Sequence, residues 1–308
     1  MASATIHSGS DTTRHTSWWP DFAGGGVGGD DDLVRIPSSD HVSVAVHELG
    51  GVGRPLLFSH ATGFHGYCYL PIADELADSF TSYAVDYRGH GDTARPADGD
   101  AVWTRYGDDA EAVARAIAPD GGLVGFGHSM GGTALLMAAQ RHPGLFDVVV
   151  AFEPIVFPPE RYTGDRPTPP LIESTRRRRA SFESFEAAIE NFRSKPPMDT
   201  FDPDVVRLYV AHGFRSAPEG VRLKCDPEYE ALTFERSWSH PVWEQLPEIR
   251  TPVVVIRSGD ADGPATVAAE IAERLPCGEL VQRPDWTHFG PFEDPRGAAD
   301  EIAAAVAR

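Results

Sequence analysis

The sequence predicts an α/β fold with a mostly parallel central sheet, helices on both of its faces, and an inserted helical lid. Strand-like apolar runs alternate along the chain with segments of helical periodicity, an order typical of parallel βα units. The 308 residues, 41% of them hydrophobic, suffice for a large core. The alternation stops at residue 155 and resumes at residue 246, which predicts an insertion between these points.

Three regions follow from this pattern. Residues 1–32 are rich in Gly, Ser, Thr and Asp and are predicted to form a flexible N-terminal tail. Residues 33–154 and 246–308 are predicted to form the α/β core. Residues 155–245 are punctuated by proline and rich in helical patterns, so we expect a helical lid over one end of the sheet.

The first half of the core begins with "HVSVAVHEL", whose alternation is that of a half-exposed strand. "RPLLFSHATGF" follows as a buried strand that runs into a loop, and "CYLPIADELADSF" predicts a helix. "TSYAVDYRGHGDT" is a further strand that ends in a glycine-rich loop. "YGDDAEAVARAIAPDGG" then predicts a helix, because acidic residues come early and Pro and Gly stop it.

The rest of the core repeats the same rhythm. "LVGFGHS" predicts a strand, "MGGTALLMAAQRHPG" a helix and "FDVVVAFEP" a strand. After the insertion, "TPVVVIRSGD" and "GELVQRP" predict strands, separated by the helix "ATVAAEIAERLP". "GAADEIAAAVAR" closes the chain as a helix.

Aromatic residues of the insertion are candidates for the substrate pocket or for the core of the lid. In "SFESFEAAIENF" four apolar residues share one face of a predicted helix: Phe182, Phe185, Ile189 and Phe192. Trp238 and Trp243 are further candidates. Sequence alone leaves both roles open.

Charge and composition exclude several function classes. The net charge of −19 argues against binding to nucleic acid or to an anionic membrane. Cys68, Cys225 and Cys277 lie far apart and indicate neither a disulfide framework nor a zinc site. No apolar run approaches 20 residues and the start lacks the pattern of a secretory signal, which predicts a cytoplasmic protein. The scarcity of lysine suggests a bacterial, GC-rich genome.

The stretch "GFGHSMGG" carries the strongest chemical signal. It contains a GxSxG frame, with Ser129 between Gly127 and Gly131, behind a predicted strand and ahead of a predicted helix. In that context the glycines permit a sharp turn that holds the serine hydroxyl above the sheet edge. We therefore predict that Ser129 is a nucleophile.

Several motifs in this order resemble the α/β-hydrolase fold family over residues 33–308. In the strand count of that family, "HATG" follows the third strand, "DYRGHG" the fourth and "GHSMGG" the fifth. "GDAD" and "THFGPFEDP" come late in the chain. The resemblance implies a catalytic triad in the chain order serine, acid, histidine. It also implies hydrolysis through an acyl-enzyme, without a metal or an organic cofactor.

The resemblance implies that His288, in the loop after the last predicted strand, is the general base. For the acid it leaves three candidates. Asp262 stands at the GxxD spacing after the penultimate strand and is favoured, and Asp260 lies two residues before it. Glu153 is the third candidate, at the end of the strand after the nucleophile helix, where some branches of the fold carry their acid.

Two backbone amides are expected to bind the oxyanion. The first is that of Met130, directly after the nucleophile, and the resemblance implies that of Thr62 in "SHATGF" as the second. Ala61 stands where the family has glycine, so the backbone there is expected to differ. His60 is expected to organise this loop by hydrogen bonding.

Two charged segments are interpreted as structural. Arg88 and Asp86 in "DYRGHGDT" are expected to tie the loop below the site. The run of arginines at 176–179 is interpreted as a solvated helix end that balances nearby glutamates; the alternative is a phosphate or carboxylate site in the lid.

The predicted function is cleavage of a carboxylic ester or related acyl bond through an acyl-enzyme on Ser129. Thioesterase and C–C bond hydrolase activity are alternatives. Cofactor-free oxygenase, perhydrolase-like or lyase chemistry on the same fold, and a non-catalytic ligand-binding module, are the others. The predicted partner is a small, apolar acyl substrate, and no binding to nucleic acid or to a membrane is expected. The sequence leaves open whether the protein forms a homodimer.

Overall fold

The computed structural model describes residues 33–163 and 169–308, so the predicted tail at 1–32 lies outside the described residues. The core strands are β1 (Val34–Pro37), β2 (Ser43–Gly51), β3 (Arg54–Ser59), β4 (Phe80–Asp86), β5 (Leu123–His128), β6 (Phe146–Phe152), β10 (Val253–Ser258) and β11 (Gly278–Arg283). Between β6 and β10 lie three short strands, β7 (Ser181–Phe182), β8 (Phe214–Ala217) and β9 (Gly220–Leu223). The sequence pattern did not predict β1.

The helices of the core are α1 (Leu70–Glu75), α2 (Thr104–Ile117), α3 (Met130–Arg141), α9 (Ala268–Arg274), α10 (Gly290–Glu293) and α11 (Pro295–Val306). Those between β6 and β10 are α4 (Pro169–Arg176), α5 (Phe185–Arg193), α6 (Pro203–Gly213), α7 (Pro227–Glu235) and α8 (Val242–Gln245). None of the helices in the described ranges is both long enough and apolar enough to cross a membrane.

Within the described residues, the core strands form an eight-stranded sheet in the order β1-β2-β4-β3-β5-β6-β10-β11. β2 pairs antiparallel with β1 and β4, whereas the pairs from β4 to β11 are parallel. The mostly parallel sheet is therefore confirmed. Because parallel strands share one direction, the residues that follow β3, β5, β6 and β10 meet at one edge.

Both faces of the sheet are covered, as predicted. On β3, Phe58 packs in one buried cluster together with residues of α1 and α11. Its neighbour Leu57 packs in a second cluster with residues of α2, α3 and α9. Successive strand residues point to opposite faces, so this alternation lets one strand contribute to both cores.

The insertion at 155–245 was predicted to be a helical lid, and its described residues contain short strands as well as helices. β7, β9 and β8 form a small antiparallel sheet there. The helix predicted in "SFESFEAAIENF" begins only at Phe185, where the Ser184 side chain accepts a hydrogen bond from the Ala187 amide and caps α5. Phe182 belongs to β7, but its ring still packs against Phe192, 5.7 Å between centroids.

Candidate active site

Ser129 lies in the sharp turn between β5 and α3. Its φ of 56° and ψ of −116° are angles that a non-glycine residue rarely adopts. A Cβ on Gly131 would lie 2.0 Å from the Ser59 carbonyl oxygen. A Cβ on Gly127 would lie 2.6 Å from the Cα of Gly132. The backbone therefore approaches itself too closely for a side chain on either flank of Ser129.

His288 follows β11, and its Nδ1 lies 2.6 Å from Oε2 of Glu153. Glu153 immediately follows β6, next to the serine turn, because the Ser129 amide donates to the Phe152 carbonyl at 2.9 Å. His128, the residue before the serine, is hydrogen-bonded through Nε2 to the His288 carbonyl at 2.9 Å. The structure thus brings His288 to Glu153 at one end of the sheet, beside the turn that contains Ser129.

The expectation that Asp262 orients the histidine was wrong for this structure. Asp262 is exposed and precedes a short 3₁₀ turn. Asp260 does not face the imidazole either, since its Oδ2 accepts the backbone N–H of His288 at 2.7 Å. Gly259 directly follows β10, and the backbone of Pro284 fills the space beside it. A Cβ on Gly259 would lie 2.3 Å from the Pro284 carbonyl oxygen. The carboxylate at the histidine comes from the end of β6 instead.

Glu153 is held as an acceptor. Its side chain is fully buried, and the Ser258 amide donates to Oε1 at 2.8 Å. Burial alone would raise the pKa of Glu153, but the hydrogen bond and charge of His288 and the bond from Ser258 outweigh it and lower the pKa. An ionised Glu153 accepts a hydrogen bond from the N–H at Nδ1 of His288, which leaves Nε2 of His288 available as a base.

The two residues predicted to supply the oxyanion amides contact each other through their side chains. Met130 is the first residue of α3, where amides have no intrahelical acceptor and the helix dipole favours negative charge. Thr62 lies in a turn closed by a bond from the Phe64 amide to the Ala61 carbonyl, and its Oγ1 lies 3.5 Å from the Met130 sulfur. Gly63, with φ of 82°, completes this turn.

His60 has the loop-organising role expected of it. Its Nδ1 is 2.8 Å from the Ala61 carbonyl, and its Nε2 accepts the Tyr87 amide proton at 2.9 Å. Burial lowers its pKa to about 3, so the ring is neutral. An imidazole that uses both nitrogens in this way is not available as a base.

The loop after β4 has the structural role predicted for it. The Arg88 side chain is fully buried and donates from Nε and Nη2 to the Asp109 carboxylate at 2.8 and 2.6 Å. Asp86 accepts hydrogen bonds from the amides of Gly66 and Asp92. These contacts join the loop to α2 and to the segment before α1.

One group of side chains in the described part of the chain has metal-ligand character: His47, Asp86 and Asp92, whose ligand atoms lie within 4.8 Å of one another. His47 Nε2 is 2.8 Å from Asp86, and Lys224 Nζ is 2.5 Å from Asp92. The Lys224 ammonium therefore pairs with Asp92 of this group, and the contact ties the insertion to the core.

The arginine run at 176–179 was only partly a solvated helix end. Arg176 and Arg177 are exposed and pair with glutamates, as expected. Arg178 instead points inward and donates to both carboxylate oxygens of Glu230, at 2.7 and 2.6 Å, and to the Tyr209 hydroxyl at 2.7 Å. This pair lies over the turn that contains Thr62, because a Cβ on Gly63 would lie 2.4 Å from Glu230 Oε1.

Phe289, whose ring packs on His288 at 5.5 Å between centroids, was not among the aromatic candidates for the pocket or the lid core. Phe289 packs against Phe64 and Phe201, with ring centroids 6.1 and 5.3 Å apart. Phe182 lies in the core of the insertion, and Trp243 packs against Arg274. The sequence could have predicted that Phe289 lies near the site, because it directly follows His288. No local pattern in the sequence pointed to Phe64 or Phe201.

The chain matches a family model described as the alpha/beta hydrolase family over residues 56–301. It is 26% identical over 271 residues to 2-(acetamidomethylene)succinate hydrolase of Mesorhizobium japonicum, covering 84% of this chain and 93% of that protein. The crystal structure of E-2-(acetamidomethylene)succinate hydrolase aligns with a TM-score of 0.74 at 22% identity, covering 90% of this chain and 99% of the other. A malate-bound thermophilic esterase from Thermogutta terrifontis aligns with a TM-score of 0.66 at 21% identity, covering 90% and 98%.

The family model spans most of the chain, and the solved structures share its fold. The protein is therefore an enzyme of the alpha/beta hydrolase family.

Proposed function

We propose that the protein hydrolyses a carboxylic ester or a related acyl bond of a small substrate through an acyl-enzyme on Ser129. The observation that carries this proposal is the 2.6 Å contact between His288 Nδ1 and buried Glu153, beside the strained turn of Ser129. A serine becomes a nucleophile when a base removes its proton and a third group orients that base.

The reaction follows from these roles. His288 Nε2 takes the hydroxyl proton as Ser129 Oγ attacks the substrate carbonyl carbon. Glu153 accepts the proton at Nδ1 in a hydrogen bond and stabilises the imidazolium that forms. The negative charge that develops on the carbonyl oxygen is bound by the amides of Met130 and Thr62. His288 then protonates the leaving group.

Deacylation repeats the same steps with water. His288 removes a proton from a water molecule, which attacks the acyl carbon and regenerates the Ser129 hydroxyl. Phe289 packs on His288 and also on Phe64 and Phe201, and these rings support an apolar substrate group on this side.

A second candidate is hydrolysis of an N-acyl bond in a small carboxylic acid. It is favoured by the match to 2-(acetamidomethylene)succinate hydrolase, which extends over 93% of that protein. Both candidates use the same nucleophile and differ in the leaving group. They are therefore separated by a substrate panel and not by the triad.

The first experiment treats the full chain with a fluorophosphonate probe and maps the adduct by mass spectrometry. We expect one adduct on Ser129, absent from Ser129→Ala and strongly reduced in His288→Ala. Ser239→Ala, which removes an exposed hydroxyl bonded to the Arg236 carbonyl, is the matched control and is expected to label normally. Folded wild-type protein that gains no adduct would contradict the proposal.

A substrate panel then assigns the bond. It contains p-nitrophenyl acetate and butyrate, an acetyl thioester and 2-(acetamidomethylene)succinate. Faster turnover of the p-nitrophenyl esters supports the esterase, and faster turnover of the N-acyl compound supports the second candidate. Labelling of Ser129 without turnover of any of them would favour a diverted chemistry or a ligand-binding role.

A further inference from the structure

A buried chain of hydrogen bonds connects the turn of Thr62 with the backbone of His288. The Ala61 amide donates to the Tyr69 hydroxyl oxygen at 3.3 Å. The Tyr69 oxygen lies 3.1 Å from His128 Nδ1, and His128 Nε2 lies 2.9 Å from the His288 carbonyl oxygen. The side chains of Tyr69 and His128 are both fully buried.

The direction of each bond follows from the chemistry of the groups. A carbonyl oxygen only accepts, so His128 Nε2 carries the proton that binds His288. Burial, reinforced by the nearby His288, lowers the pKa of His128 far below its usual value, which leaves a neutral ring with a single proton. Nδ1 is then an acceptor, the Tyr69 hydroxyl donates to it, and the Tyr69 oxygen accepts from Ala61.

Within the described part of the chain, the rings of Tyr69 and His128 pack among other aromatic rings. The His128 ring lies among the rings of Phe152, Phe292 and His288, with centroids 5.3, 5.2 and 5.2 Å away. Tyr69 packs on Phe126 and Phe292. Apolar surroundings strengthen a hydrogen bond that is formed and penalise one that is broken. The series of hydrogen bonds from Ala61 to His288 therefore has one favoured geometry.

We infer that Tyr69 and His128 are positioning residues that fix the turn of Thr62 and the backbone of His288 relative to each other. This inference rests on the proposed function. His288 is then fixed at three points: its carbonyl by His128, its amide by Asp260 at 2.7 Å and its Nδ1 by Glu153. Neither Tyr69 nor His128 touches the reacting atoms; both act through the groups that they hold.

The first test measures the rate at which a fluorophosphonate labels Ser129, together with kcat and KM for p-nitrophenyl acetate. Tyr69→Phe removes one hydroxyl and keeps the ring, and we expect labelling and kcat to fall about 10- to 100-fold. KM should change less than about twofold, because the hydroxyl does not contact substrate. Tyr106→Phe is the matched control: its hydroxyl is equally buried and bonds to Thr233 at 3.1 Å, away from the triad.

A pair of variants at His128 tests the donor itself. The amide N–H of glutamine can reach the His288 carbonyl, so His128→Gln should retain more activity than His128→Leu. Wild-type rates in Tyr69→Phe, or equal losses in both His128 variants, would overturn the inference. Absence of labelling in the wild type would instead overturn the proposed function.

Nitrogen NMR of the full chain labelled with ¹⁵N-histidine tests the same geometry without activity. We expect His128 to carry its proton on Nε2 and to stay neutral down to mildly acid pH, with its signal assigned from His128→Gln. In Tyr69→Phe the Nδ1 signal of His128 should shift. A proton on Nδ1 of His128, or an imidazolium, would overturn the inference even if the variants fail to fold.

Discussion

Oε2 of Glu153 lies 2.6 Å from Nδ1 of His288, although the two residues are 135 positions apart in the chain. The contact forms because β6 and β10 pair in parallel and β11 continues the sheet, so the loops after these strands share one edge. Glu153 adopts φ of 45°, and this unusual backbone stands next to the equally unusual Ser129. Two strained residues at neighbouring strand ends mark this edge as the site of chemistry.

The carboxylate at this contact is expected to carry the catalytic role of the acid. Glu153→Gln keeps the size of the side chain but removes its charge, so we expect kcat to fall about 10²- to 10⁴-fold. Asp262→Asn changes an exposed residue and should leave kcat within about twofold. Steady-state kinetics with p-nitrophenyl acetate, beside melting curves for both variants, check this. The larger loss in Asp262→Asn would restore Asp262 as the acid.

The turn of Thr62 has no room for a side chain at Gly63. Gly63→Ala would bring Cβ to 2.4 Å from Glu230 Oε1, so we expect the turn to shift and kcat to fall at least about 10-fold. Gly99→Ala is the matched control, because Gly99 also has positive φ, 70°, but has no atom within 4 Å of such a Cβ. Steady-state kinetics of both variants distinguish the two effects. Backbone strain is common to both, whereas only Gly63→Ala displaces the turn of Thr62. Equal kcat values in the two would contradict the prediction.

The buried pair of Arg88 and Asp109 is expected to support the fold. Asp109→Asn leaves a fully buried guanidinium with only the exposed Asp40, 3.3 Å away, as counter-charge, so we expect the free energy of unfolding to fall by about 3–5 kcal/mol. Asp147→Asn, in the half-exposed ion pair with Arg54, should cost less than about 1 kcal/mol. Urea unfolding at neutral pH measures both. Equal stability of Asp109→Asn and wild type would show that the pair is dispensable.

Acid should destabilise this protein through its buried histidines. Burial lowers the pKa of His60 and His212 to about 3 and that of His65 and His240 to about 4. The unfolded chain binds protons at these rings below about pH 6.5, where the folded chain does not, so each ring lowers stability by up to about 1.4 kcal/mol per pH unit of acidification. His47, whose pKa is raised beside Asp86, opposes the trend.

Urea unfolding between pH about 7.5 and about 5 tests this balance. We expect the free energy of unfolding to be highest at the alkaline end and to fall steeply below about pH 6.5. His212→Gln should reduce that slope, because it removes one of the buried rings that the unfolded chain protonates. A flat profile over the same range would contradict the prediction.

Much of the fold was readable from local patterns. The strands β3, β5, β6 and β10 are continuous apolar runs buried on both sides, and each was predicted. The strands of the insertion have only two to four residues each, too few for a period of two to stand out. Their pairing depends on partners distant in sequence, which a local pattern does not contain.

The sequence by itself determined the turn at Ser129 and the order of the core elements that it predicted, while the resemblance to the family pointed to His288. These features are local, because two glycines and a strand-to-helix change specify the turn without reference to other segments. Only the tertiary structure decided that Glu153, and not Asp262, meets His288, and that His128 and Tyr69 reach the same loop. Asp260, Asp262 and Glu153 all follow strands that end at one edge, so which carboxylate faces the ring depends on strand pairing and backbone packing between residues far apart in the chain.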